Sequence, residues 1–404
     1  MSDFQWTTAF ERDVVVIGGG GHVGLPLAIA LADRGARVTI YDVSADAVAA
    51  VNDARLPFDE PGADLPLKRV VAEGSLIAST DPAVVSTAEH VVVVVGTPID
   101  EHLNPDPAAV PRALEACAPH FCDGQILILR STVHPGVTEL VERMIARLGR
   151  DIDVAFCPER IAEGKAMTEL FELPQIVSGR TERSLQRAAA LFRRLTDTIV
   201  PLSPEEAEMA KLFTNTWRYI KFAAVNQFYM MANDRGLDFE RIRKGLSHDY
   251  PRASDMPAAG FAAGPCLTKD TMQLAAAHGN RFPLGYAAMT TNEGLPLYIV
   301  DRLDAQYDLK SLTVGILGMA FKGGSDDIRS SLSYKLKRTL AFKAGNVVCT
   351  DPRVTVDPSL MPLEKVLAVA DVLVIAAPHP EYRDLEAAVP VIDIWNLLGD
   401  GVRI

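Results

Sequence analysis

The 404-residue chain has no apolar run long enough to cross a bilayer. Runs such as Val91–Val95 are strand-length, far below the roughly 20 residues a spanning helix needs. It is also poor in cysteine. The five, at 117, 122, 157, 266 and 349, are odd in number, scattered and never in a CxxC pair. That spacing argues against a disulfide framework or a zinc cluster, and for a reducing, cytoplasmic compartment with no metal. Positive charge is in deficit, with 40 Lys and Arg against 52 Asp and Glu and a net charge of −12. Such a field repels polyanions, so neither nucleic acid nor an anionic membrane is expected as a partner. Residues 1–12 show neither a basic start nor an apolar stretch, and no secretory signal is expected. There is no low-complexity segment and no short repeat.

What is present is an ordinary globular composition, 48% hydrophobic, in a chain long enough for two domains or more. From about 12 to 200, β-branched runs alternate with helical stretches: Asp13–Ile17, Arg37–Tyr41, His90–Val95, Ile126–Leu129 and Val154–Cys157. This is the pattern of a parallel α/β sheet. From Ser203 to about Leu303 strand signals vanish. Ser203-Pro204-Glu205-Glu206 reads as a helix cap with acids in the first turn, followed by apolar residues at helical spacing through Ala210, Phe213, Trp217, Ile220 and Ala224. After Asp308 the alternation returns at Leu312–Leu317, Asn346–Thr350, Val372–Ala376 and Val391–Ile394. The expected architecture is α/β: two Rossmann-like parallel-sheet domains, 1–202 and 309–404, joined by a central helical domain, 203–308.

The first strand runs through Gly18 into Gly19-Gly20-Gly21-His22-Val23-Gly24 and a helical stretch. This is GxGxxG between strand and helix, built on Gly19, Gly21 and Gly24. The first glycine permits a tight turn, the second lets backbone approach a pyrophosphate, and the third lets helix and strand pack closely. Four consecutive glycines leave the register open by one residue, and a glycine-rich turn without a ligand is the plain alternative. The next strand ends in Asp42, placed to accept from ribose hydroxyls. No Arg or Lys follows until Arg55, so the cofactor expected is NAD rather than NADP.

In an open parallel sheet, ligands lie beyond the carboxyl ends of the strands. Three later strands lead into polar sets: Gly96-Thr97-Pro98, Arg130-Ser131-Thr132, and Pro158-Glu159-Arg160 running on to Glu163-Gly164. Each is also readable as a turn and no more. On the long helix Lys211 and Asn215 are four apart and share a face; Glu208, three before Lys211, offers an exposed Glu–Lys pair as the simple alternative. The sharpest local signal is Gly264-Pro265-Cys266-Leu267-Thr268-Lys269-Asp270. A cysteine entering a helix from a Gly/Pro turn, beside a lysine, is in a setting that favours the thiolate. Asp270 falls on the same helical face.

These pieces, taken in order, resemble the UDP-glucose/GDP-mannose dehydrogenase family over nearly the whole chain. The last of them are Gly318-Met319-Ala320-Phe321-Lys322 and Asp326-Asp327-Ile328-Arg329, similar to the family's nucleotide-binding signature. The resemblance implies a four-electron oxidation of a nucleotide sugar's C6 alcohol with two NAD, through a thiohemiacetal and a thioester on Cys266. It assigns Lys211 and Asn215 to the oxyanions and Asp270 to a water or to Lys211. Glu159 or Glu163 becomes the base for hydrolysis, Glu159 being favoured because it directly follows its strand. Thr132 holds a water for the first proton transfer and, with Thr97, His22 and Val23, borders the cofactor. Lys322 and Arg329 would grip the substrate's diphosphate or uridine. Arg252 would reach the neighbouring subunit's substrate, making the central helical domain a dimerisation domain and the active site of the homodimer shared.

Pro265 and Thr268 depart from the family's usual residues. Arg160, after Pro158-Glu159, looks more like the branch that oxidises UDP-N-acetylhexosamines, notably UDP-N-acetylmannosamine, than like UDP-glucose or GDP-mannose enzymes. A two-electron hydroxyacid-type dehydrogenase would not need Cys266, Lys322 or Arg329, and a non-catalytic NAD-binding protein would leave Lys211, Asn215, Cys266 and Asp270 without a purpose.

Overall fold

The computed structural model describes residues 9–401 and 404; residues 1–8, most of the stretch read for a leader, lie outside the described residues. The chain divides into two compact units, 1–213 and 214–404.

The first unit is built from strands β1 (Arg12–Ile17), β2 (Val38–Tyr41), β3 (Leu76–Ser79), β4 (Ala88–Val93), β5 (Ile126–Leu129), β6 (Asp153–Phe156), β7 (Gln175–Gly179) and β8 (Ile199–Leu202). Between them run helices α1 (Gly24–Asp33), α2 (Ala45–Asn52), α3 (Asp64–Ala72), α4 (Ala109–Glu115), α5 (Val137–Ala146), α6 (Ala166–Glu172) and α7 (Glu182–Phe192), and α8 (Pro204–Asn233) leads out. The strands form one sheet in the order β3-β2-β1-β4-β5-β6-β7-β8. All pairs are parallel except β6 with β7, which is antiparallel. Both faces are covered, as a parallel sheet requires. On β1, Val14 and Val16 join the core beneath α1 and α7, while Val15 and Ile17 join the core beneath α4 and α5. β3, β7 and β8 give little signal in the sequence. β3 and β8 are half-exposed edge strands, and Pro201 fits β8 because an edge strand can lack a donor.

α8 begins as its sequence dictates. Ser203 Oγ accepts from Glu206 N at 3.3 Å and Glu206 Oε2 accepts from Ser203 N at 2.8 Å, a reciprocal cap that satisfies two otherwise orphaned donors.

The second unit holds the remainder of α8 with α9 (Phe239–Ser247), α10 (Leu267–Ala277) and α11 (Pro283–Gln306). It continues with β9 (Thr313–Leu317), α12 (Leu332–Leu340), β10 (Asn346–Thr350), α13 (Leu363–Val369), β11 (Val372–Ile375) and β12 (Val391–Asp393). Its sheet, in the order β10-β9-β11-β12, is wholly parallel. The helices and this sheet share one core: Val225 and Tyr229 of α8 and Leu295, Ile299 and Leu303 of α11 pack with Val314 and Ile316 of β9. Among the described residues no helix is long and apolar enough to cross a membrane.

Candidate functional site

Gly18 adopts φ +74°, and a Cβ there would lie 2.1 Å from the Val94 carbonyl oxygen. Gly24 opens α1 so close to Gly19 that a Cβ would stand 2.7 Å from the Gly19 Cα. Gly21, by contrast, is exposed and faces nothing within 4 Å. The positive φ of the turn therefore falls on Gly18, the close helix packing on Gly24 against Gly19, and Gly21 leaves its outer side open. α1 has no side-chain cap and no acid in its first turn, so its dipole is left uncompensated for an anion. Val23 is the N-cap residue, and His22 stacks on Phe58 with ring centroids 3.9 Å apart. Asp42 accepts from Gly20 N and from Ser44 N, each at 2.9 Å; a carboxylate has about four acceptor directions, leaving two for ribose hydroxyls. The donors, the open glycine and the acid fit NAD, whose nicotinamide accepts hydride.

At the ends of β4 and β5, Thr97 Oγ1 donates to the Thr132 carbonyl at 2.5 Å, and Val95 N donates to Ser131 Oγ at 2.8 Å. The two loops that carry Thr97 and Thr132 are thus tied together, with Thr132 half-buried.

The loop after β6 is organised by a residue whose importance only the structure reveals. Arg130 is fully buried. Its guanidinium donates to the carbonyl of Cys157 at 3.0 Å, to Gln175 Oε1 at 3.0 Å and to Glu159 Oε2, and it lies over the Phe192 ring. The other oxygen of Glu159 accepts from Arg160 N at 2.7 Å and Ile161 N at 3.0 Å. Glu159 is therefore a buried acceptor that shapes its loop, while Glu163 is half-buried. Arg160 donates to the Pro174 carbonyl, and its burial lowers the guanidinium pKa.

Glu208 overturns the exposed Glu–Lys alternative. It is 1% exposed and accepts from Gly136 N at 2.7 Å, Thr138 N at 2.8 Å and Thr138 Oγ1 at 2.6 Å. A carboxylate from α8 thus caps α5, where the macrodipole favours negative charge. Glu208→Ala is expected to cost about 2 kcal/mol, since it strands buried donors; urea denaturation of the variant and the parent measures it. Lys211, one turn on, is buried.

In the second unit, Cys266 is exposed and forms the N-cap position of α10. Its carbonyl accepts from Asp270 N at 2.8 Å, so Cys266 and Asp270 stand one turn apart. Asp270 is completely buried, and its oxygens are taken by the amide of Asn215 and the ammonium of Lys269. The sequence set Lys269 beside the thiol; the structure turns it towards the carboxylate, because a buried charge needs a counterion. One donor of Asn215 is likewise spent on Asp270. Gly264, at φ +100°, lies against Phe321, whose ring a Cβ would meet at 2.6 Å, and donates to the Ser330 carbonyl at 3.3 Å. The cysteine's turn is therefore seated on the loop that carries Lys322. Buried Asn226 closes the segment before it, exchanging two 3.0 Å hydrogen bonds with Gly260 and donating to Asn292.

Lys322 Nζ lies 5.5 Å from the Phe321 ring centroid. Arg329 is paired with buried Asp327, Nη2 to Oδ2 at 2.6 Å. Arg252 is exposed, with its guanidinium 5.6 Å from the Tyr250 ring centroid. Sequence reasoning missed Asp351 and His379, both without solvent exposure in their side chains. Burial alone would raise the Asp351 pKa, but His379 and backbone donors hold it at about 2, below its ordinary carboxylate value. A depressed carboxylate contributes stability above its unfolded pKa and loses it as pH falls through the folded one. About 2 kcal/mol should therefore vanish between roughly pH 4 and pH 2. Denaturation midpoints of the protein and of Asp351→Asn across that window check this: the parent should lose stability more steeply.

A glycine-loop nucleotide fold, an acid ending the second strand and an exposed cysteine at a helix N-terminus are the marks of an NAD-dependent oxidoreductase. The chain belongs to the UDP-glucose/GDP-mannose dehydrogenase family: the family's NAD binding domain matches residues 12–196, its central domain 205–294 and its UDP binding domain 315–400. It is an NAD-dependent nucleotide-sugar dehydrogenase. It is 30% identical over 403 residues to a UDP-N-acetyl-D-mannosamine dehydrogenase of Pyrococcus horikoshii, covering 96% of this chain and 93% of the relative. An NDP-N-acetyl-D-galactosaminuronic acid dehydrogenase of Ralstonia solanacearum is 29% identical, covering 93% and 92%. The solved structure of the UDP-D-ManNAc dehydrogenase from Pyrococcus horikoshii superposes with a TM-score of 0.89 at 29% identity, covering 96% and 97%.

Proposed function

We propose that this chain oxidises the C6 alcohol of a UDP-N-acetylhexosamine, UDP-N-acetylmannosamine foremost, to the uronic acid. The exposed Cys266 at the head of α10, backed by buried Asp270 and Asn215, is the observation that carries this reading. Two NAD, bound in succession, would each accept one hydride from C6, the first hydride loss turning the alcohol into the aldehyde. Cys266 adds to the C6 aldehyde to give a thiohemiacetal, and the next two-electron oxidation leaves a thioester that water cleaves, releasing the carboxylate and the thiol. A thiolate is the soft nucleophile an aldehyde carbon needs. Lys211 and Asn215 stabilise the oxyanions. Asp270 orders the Asn215 amide, and Thr132 holds the water that receives the first proton. Glu159, held by Arg130 and by its own loop, or Glu163 in the same loop serves as base for hydrolysis.

Gly19, Gly21, Gly24, Val23, His22, Asp42 and Thr97 hold the cofactor. Lys322 and Arg329 hold the substrate's diphosphate and uridine, and Arg160 lies towards the acetamido group. The similarity to two dehydrogenases of acetamido sugars supports that preference. We take the domains as 1–202, 203–308 and 309–404, a division that family matches at 12–196, 205–294 and 315–400 support. The central domain makes a homodimer in which Arg252 enters the partner's site. Exposed Trp217, Phe228 and Met231 on α8 and Ile242 and Leu246 on α9 supply an apolar face for it. A nucleotide-activated uronic acid suits polysaccharide biosynthesis in the cytoplasm, where free cysteines persist.

The test is stoichiometric. Purified protein with NAD and a panel of UDP- and GDP-sugars should yield two NADH per acetamido sugar consumed. One NADH per molecule supports a two-electron dehydrogenase; preference for UDP-glucose or GDP-mannose moves the substrate within the family.

A further inference from the structure

The loop from Gly318 to Gly324, which carries Lys322, is held at both ends by two buried side chains. At its start, Asp351 Oδ2 accepts from Met319 N at 2.6 Å and Ala320 N at 2.9 Å. At its end, Gly324 N donates to His379 Nδ1 at 3.2 Å. The other imidazole nitrogen, Nε2, lies 3.0 Å from the same Asp351 oxygen. Since Nδ1 must accept from Gly324, the ring proton sits on Nε2 and is donated to Asp351. The remaining Asp351 oxygen accepts from Arg353 N at 2.8 Å and Val354 N at 3.0 Å.

Between its ends the loop lies flat on the segment after β11. A Cβ at Gly318 would stand 2.7 Å from the Ala377 nitrogen and oxygen, and one at Gly323 would stand 2.2 Å from the Pro378 oxygen. Asp42 offers an instructive contrast. It too follows the second strand of its sheet, but takes only one N–H of its glycine loop. Asp351 spends every acceptor direction inside the protein. Its purpose is internal.

We propose that Asp351 and His379 form a clamp that fixes the 318–324 loop, so that Lys322 presents its ammonium to the phosphates of the nucleotide sugar. They are positioning residues, not ligands. The proposal rests on the reading of Lys322 as a nucleotide contact. Without the clamp the lysine would sample many backbone orientations, and the ordering would have to occur on binding.

Two half-replacements separate the clamp from general stability. His379→Gln places an amide nitrogen near Nε2, keeping the donation to Asp351 and removing the acceptor for Gly324. His379→Asn places an amide oxygen near Nδ1, keeping the acceptor for Gly324. The glutamine variant is expected to raise both KM for the nucleotide sugar and Kd for UDP by about tenfold, with kcat at saturation and KM for NAD within about twofold. The asparagine variant should recover most of the UDP affinity. Hydrogen exchange of the 318–324 segment should quicken in the first variant and not in the second. Unchanged exchange and UDP affinity in both variants would overturn the clamp, as would a parallel loss of kcat, NAD binding and thermal stability in both. Lys322→Met is the separating control: if it leaves UDP affinity intact, the nucleotide reading of Lys322 fails, while the exchange contrast still judges the clamp.

Discussion

Cys266→Ser is expected to lower acid formation by at least about a thousandfold, because an alcohol at neutral pH is a far weaker nucleophile than a thiolate and its ester a poorer acyl donor than a thioester. Cys266 is exposed, so the loss should come without loss of fold. The NAD binding domain, residues 12–196, is remote in sequence from the cysteine, and NAD binding should be unchanged. The measurement has two parts: NADH released per sugar, and capture of the C6 aldehyde with a hydroxylamine or hydrazine reagent. Stalling at one NADH with trapped aldehyde, or no turnover with intact NAD binding, fits the thioester route. Full production of uronic acid by the serine variant would remove it.

The second large effect concerns stability. Arg130 is wholly enclosed, and its partner Glu159 is almost so, at 0% and 7% side-chain exposure. Arg130→Met fills much of the same volume but leaves the Glu159 carboxylate buried beside Gln175 and the Cys157 carbonyl without its cation. Breaking such a pair from one side costs about 3–5 kcal/mol, far more than the pair contributes net. Urea denaturation should show that loss. The double variant Arg130→Met with Glu159→Gln should regain part of it, since no charge is then stranded. A single-variant loss below about 1 kcal/mol would mean that the carboxylate finds water or another donor.

Much of the site was legible along the chain because its chemistry is local. GxGxxG, the acid ending the second strand, and a cysteine entering a helix are each defined within a few residues. The same locality explains the errors. Glu208 looked like half of an exposed helical pair because Lys211 lies three residues on, whereas its true partners at Gly136 and Thr138 lie about seventy residues away. Lys269 was assigned to the nearest reactive group in sequence; the buried Asp270 next to it had the stronger demand. Arg130 stood in a strand-end triplet among plausible turn residues. Nothing in that triplet announces a guanidinium that joins three strands.

Hydrophobic period, turn residues and helix caps act over one or two turns, and these determined β1, β2, β4, β5 and β6 of the first sheet, the four strands of the second, the long central helix, and the place of the glycine loop. Desolvation is a property of the folded whole. Tertiary structure alone therefore decided which carboxylates needed a partner, and it chose Glu208 for α5, Arg130 for Glu159, Asn215 and Lys269 for Asp270, and His379 for Asp351. A charge taken out of water must be answered by whatever donor the fold brings within about 3 Å, however distant that donor is along the chain.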